Sequence, residues 1–125
     1  MKNWILLDSQ SSFDLFCNPQ MVTDIKVSIN SPHLATNGGI LVVHKKAMVP
    51  NYGEVCFEEN AMTNVFSLAN MAAKHRVQFD SDEENAFIMH TPQKKVKFLH
   101  TMENLYVLKL DKSTIPLYLA MNIVE

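Results

Sequence analysis

Asp8 stands where a carboxylate can do chemistry. It directly follows the apolar run Trp4-Ile5-Leu6-Leu7 and directly precedes Ser9, Gln10, Ser11 and Ser12. A short apolar run stopped by polar residues reads as a buried strand opening into a loop, so the acid sits at the mouth of a core. Hydroxyls at 9, 11 and 12 can hydrogen-bond the carboxylate or the backbone around it. The same residue types also suit an ordinary turn in which Asp is a capping acceptor. Taken alone, the local sequence favours the turn or capping role, the usual place of an Asp after a strand.

No other group of reactive side chains has a comparable arrangement. The five histidines, at positions 33, 44, 75, 90 and 100, form no close ligand pair, and Cys17 and Cys56 lack partner spacing with them. No metal and no cofactor is therefore expected, and both thiols read as core groups rather than as nucleophiles. Two cysteines fall far short of a secreted disulfide scaffold and fit a reducing, intracellular compartment. A net charge of -2 gives no broad electropositive field for phosphates, which argues against direct nucleic-acid binding. Lys45-Lys46 and Lys94-Lys95 read as solvated turns. The apolar runs at 40–43 and 115–121 are too short or too interrupted to cross a bilayer, and residues 1–7 lack the plan of a signal peptide, so no membrane partner is expected.

The elements that must position Asp8 are mostly strands. At 125 residues and 47% hydrophobic content the chain suits one core. Ile25, Val27 and Ile29 alternate with Lys26, Ser28 and Asn30, which predicts a strand with one buried face. Asn37-Gly38-Gly39 marks a tight turn before Ile40-Leu41-Val42-Val43. Residues 44–51 read as a hairpin tip or exposed loop, with Val55-Cys56-Phe57 as the return strand. Asn64 is placed to cap a helix over 65–74, because Val65, Leu68, Met71 and Ala72 share one face. Four short strands then follow at 76–79, 86–90, 96–99 and 105–110. Such a run of strands with regular turn signals suggests a barrel or a sandwich.

The stretch Trp4-Ile5-Leu6-Leu7-Asp8-Ser9-Gln10-Ser11-Ser12 resembles the Trp-Leu-Leu-Asp-Ser-Gly-Ala-Ser/Thr opening of the protease segment in copia-type retrotransposon Gag-Pol polyproteins. Further stretches resemble the family in the same order. They are the turn Asn37-Gly38-Gly39, then Tyr52-Gly53-Glu54-Val55 and the helix start Asn64-Val65-Phe66-Ser67-Leu68. Asn104-Leu105-Tyr106 and Met121-Asn122-Ile123-Val124-Glu125 complete the series, the last resembling a linker toward integrase. The similarity spans nearly the whole chain.

The resemblance implies a mostly β, retropepsin-like closed β-barrel with one short helix over residues 1–112, and a linker or interface strand over 113–125. It also implies an aspartic endopeptidase, a peptide hydrolase that acts as a homodimer on polyprotein peptide, in the cytoplasm or within virus-like particles. Asp8 would be the catalytic acid, one per subunit. Ser9 would brace the paired loops across the dimer axis, and Ser11 would support the outer carboxylate oxygen. A substrate flap is expected within residues 40–55, centred on Val43, His44, Lys45, Lys46 and Ala47. The family has Gly where this chain has Gln10, and Gly permits close approach and dihedrals that other residues adopt only at about 1–3 kcal/mol. The rival reading is a noncatalytic β-barrel module of the same polyprotein with a structural or dimerisation role.

Overall fold

The computed structural model describes residues 2–30, 33–36, 39–111 and 115. The proposed linker at 113–125 lies outside them except for Ile115, which is fully buried in the main core.

Strand β1, Trp4–Asp8, alternates half-buried and buried positions and lies inside a ten-stranded sheet. Its neighbours are β8, Asn64–Ser67, running parallel, and β12, Tyr106–Lys109, running antiparallel. Beyond β12 come β11, Lys95–His100, then β10, Glu84–His90, then β9, Arg76–Asp80. These last four strands follow the sequence reading closely. Beyond β8 lie the two-residue β2, Leu15–Phe16, then β7, Gly53–Phe57, β6, Lys45–Val49, and finally β3, Thr23–Val27. A separate hairpin joins β4, His33–Thr36, to β5, Gly39–Val42.

The chain is thus mostly β with one short helix, but the closed barrel is not formed. Closure requires the two outermost strands to pair. Among the described residues β3 pairs only with β6 and β9 only with β10, so the large sheet stays open.

Three local expectations change as well. The alternation at 25–29 does mark a strand, yet β3 is an edge strand exposed on both faces, with Val27 75% exposed. Period-two alternation shows where side chains point, not what covers them. Val27→Lys should accordingly change the unfolding free energy measured by urea titration by no more than about 0.5 kcal/mol, the usual surface range. A larger loss would place that side chain in a core. Residues 45–49, expected in a loop, are strand β6, closed onto β7 by a turn in which Asn51 and Gly53 take positive φ of 61° and 130°. The helix, α1, is only Leu68–Lys74, and its N-cap is Ser67, whose hydroxyl oxygen accepts the Asn70 N–H at 3.2 Å. Residues 64–67 pair with β1 instead of coiling, as the β-branched and aromatic Val65-Phe66 favour.

The main core gathers Ile5, Phe16, Phe57, Phe66, Met71 and Phe98. Phe66 is its hub, with ring centroids 5.0 Å from Phe16 and 4.4 Å from Tyr52. A smaller cluster of Leu15, Leu34 and Val43, with Phe13 and Leu41 against it, ties the β4–β5 hairpin to the chain just after the Asp8 loop. Among the described residues no helix is long and apolar enough to cross a membrane.

Candidate active site

β1 delivers Asp8 to its last position, half-buried, where the strand leaves the sheet. Across the parallel pair with β8 its partner is Ser67. One carboxylate oxygen, Oδ1, accepts the Gln10 backbone N–H at 2.9 Å. Among the described residues the other oxygen accepts no hydrogen bond, and Asp8 makes no ion pair. The carboxylate therefore keeps an open face.

Gln10 supplies that N–H with its backbone, a bond any residue except proline can make. It is also absent from the residues with positive φ, so its Cβ carries none of the strain that would call for glycine. What remains of the substitution is bulk, because the Gln10 side chain is exposed beside Asp8. Ser9 is exposed too, and its hydroxyl has no partner among the described residues. Among the described residues the Ser11 hydroxyl bonds to Phe13 and not to Asp8. It donates to the Phe13 carbonyl at 2.7 Å and accepts the Phe13 N–H at 3.3 Å, closing a local turn.

The five flap residues are not at a hairpin tip. Val43 and Ala47 are core positions, at 0% and 1% exposure. Lys45 and Lys46 lie on β6 and pair with Glu59 at 3.0 Å and Glu54 at 3.2 Å, and only His44 is exposed. A run of polar residues on a strand can face solvent while its alternate positions fill the core. The hairpin that stands apart from the main sheet is β4–β5, immediately upstream.

Beneath the Asp8 loop lie polar residues that the sequence reading passed over. Asp14 is 7% exposed, and its Oδ1 accepts the Ser67 N–H at 2.7 Å and the Tyr52 hydroxyl at 2.9 Å. Its Oδ2 accepts the Asn70 side-chain amide at 3.2 Å. Burial and the adjacent Asp14 carboxylate hold the Tyr52 hydroxyl firmly protonated, well above its ordinary range. Ser67, fully buried, donates its hydroxyl to the Ser11 carbonyl at 2.8 Å. The one signal for Asp14 was a charge inside the apolar stretch Phe13-Asp14-Leu15-Phe16-Cys17.

Asn64, also fully buried, ties the start of the chain to β8. Its side-chain oxygen accepts the N–H groups of Cys17 and Asn18, and its amide donates to the carbonyls of Lys2 and Trp4 at 2.8 Å each. Cys17 and Cys56 are free thiols, and burial pushes both upward, away from the thiolate a nucleophile needs. Comparison with protein-family models, curated proteins and solved structures finds no match.

Proposed function

We propose that this chain is one subunit of a retropepsin-like aspartic endopeptidase of copia type, which cleaves its own polyprotein as a homodimer. The observation that carries the reading is the Asp8 carboxylate. It ends a strand inside the sheet, is held through one oxygen by the Gln10 amide, and is open at the other. The resemblance around residues 4–12 adds the chemistry.

Two such loops meeting across a twofold axis bring the two Asp8 carboxyls together, where like charge prevents both from ionising. One proton is shared, and its titration belongs to the pair. The ionised carboxylate takes a proton from a water between them as the water oxygen attacks the peptide carbonyl carbon. The protonated partner gives its proton to the carbonyl oxygen. Collapse of the tetrahedral intermediate breaks the C–N bond, with a proton passing to the leaving nitrogen and the shared proton restored to the pair. The exposed Ser9 hydroxyl is available to bridge the loops. The β4–β5 hairpin, anchored through Leu34 beside Phe13 and Leu15, takes the flap role in place of residues 43–47.

The noncatalytic alternative draws on one observation, the exposed Gln10 side chain where two loops would have to meet. A noncatalytic module would cleave nothing, and where cleavage occurs subunit mixing tests whether two chains share the site. When the native chain is diluted with an equal amount of Asp8→Asn at fixed total concentration, cleavage should fall to about a quarter, since both subunits of a twofold dimer must carry the acid. A fall to about half would mean that each chain acts alone and would defeat the dyad.

A further inference from the structure

We propose that Asp14 is the positioning residue for Asp8, holding Ser67 and, through Ser67, the 9–13 loop in the conformation that leaves the Asp8 carboxylate open. The inference rests on the reading of Asp8 as the catalytic acid.

Asp14 is buried and has no cationic partner among the described residues, where its three donors are a backbone N–H, a tyrosine hydroxyl and a side-chain amide. A carboxylate out of water without a counter-ion is costly unless hydrogen bonds satisfy it, so its place needs a reason beyond packing. The donors supply one, because they come from two separate segments. Tyr52 belongs to the β6–β7 turn, and Ser67 and Asn70 to the start of α1. Asp14 itself follows the Asp8 loop by one residue, so it pins three pieces of chain at one point.

Ser67 passes that restraint on. It is the cross-strand partner of Asp8, and its hydroxyl holds the Ser11 carbonyl at 2.8 Å. Lys74 adds a brace on the far side, donating to the Tyr52 carbonyl at 3.0 Å with its ammonium 4.1 Å from the Tyr52 ring centre. Asp14 touches no reacting atom. It acts on Asp8 only through Ser67 and the loop, and misplacing a catalytic group by about 1 Å costs on the order of 100-fold in rate.

The test is Asp14→Ala in the full chain, read by amide hydrogen exchange and by cleavage of a peptide spanning a junction that the precursor processes. Protection of the Gln10 to Phe13 amides should fall at least about tenfold while the β10–β11 hairpin keeps its protection. kcat should fall about 10- to 100-fold with KM changed less than about threefold. Asp14→Asn retains the acceptor for Ser67 and should recover much of both losses. If Asp14→Ala does not fold, Ser67→Ala decides: it leaves the Ser67 N–H on Asp14 but removes the hydroxyl's bonds to the Ser11 carbonyl and to the Asn70 N–H, and it should loosen residues 10–13 in the same way. Unchanged loop exchange in the variant that folds overturns the proposal, as does a uniform loss across the sheet, which would mark a merely structural role. A native chain that cleaves nothing would defeat the protease reading, and the exchange data would still decide the place of Asp14.

Discussion

Asn64→Leu should cost this domain a large part of its stability, on the order of 4 kcal/mol. Leucine fills nearly the same space but leaves the Cys17 and Asn18 N–H groups and the Lys2 and Trp4 carbonyls without the partner they share. The two N–H groups are stranded, at about 1–3 kcal/mol each, while the Lys2 carbonyl keeps the Asn18 amide at 3.0 Å and the Trp4 carbonyl the Thr63 hydroxyl at 3.4 Å. Folded domains of this size have only about 5–15 kcal/mol in hand. Urea titration of the two proteins measures the difference, and a shift below about 1 kcal/mol would mean that Asn64 does not tie the first strand to β8.

Asp8→Asn should do the reverse, sparing the fold and stopping the chemistry. Asparagine keeps an oxygen for the Gln10 N–H, the only hydrogen bond that the Asp8 carboxylate accepts among the described residues, so the melting temperature should stay near the native value. It cannot accept a proton from water, however, and positioned acid-base catalysis contributes about 100- to 10,000-fold. Initial rates of junction-peptide cleavage should drop by that much. A residual rate above about a tenth of native would remove Asp8 from the mechanism.

What could be read in the sequence was local. Trp4-Ile5-Leu6-Leu7 announces β1 and the position of Asp8, and the four strands after the helix announce themselves through alternation and turn residues. Val65, Leu68, Met71 and Ala72 fit a helical face and so predict a longer helix, while the parallel register with β1 that claims residues 64–67 is a long-range fact. The exposed Ile25, Val27 and Ile29 misled in the same way, since alternation is shared by buried and edge strands. The open sheet lay beyond local reading for a related reason: whether the outermost strands meet is decided by twist and register summed over ten strands. Asp14 carries no local signal beyond a charge in an apolar stretch. Its value comes from Tyr52 and Ser67, 38 and 53 residues away in the chain.

Gln10 is the most instructive position. Its departure from the family's glycine suggested backbone strain next to the acid, yet its φ is not positive and its N–H binds Asp8. The geometry within one subunit is intact with glutamine there. In the proposed homodimer the consequence of glutamine would fall where two loops meet, because the exposed side chain occupies space that glycine would leave empty.

The most direct measurement is processing of a longer precursor that carries this domain with its natural flanks, followed between about pH 4 and 7, where a shared-proton pair of carboxyls operates. Dimer content should be measured in the same samples. The account predicts discrete fragments from the native precursor and none from Asp8→Asn. An intact native precursor in a sample shown to be dimeric would contradict it and leave the noncatalytic module as the function of this fold.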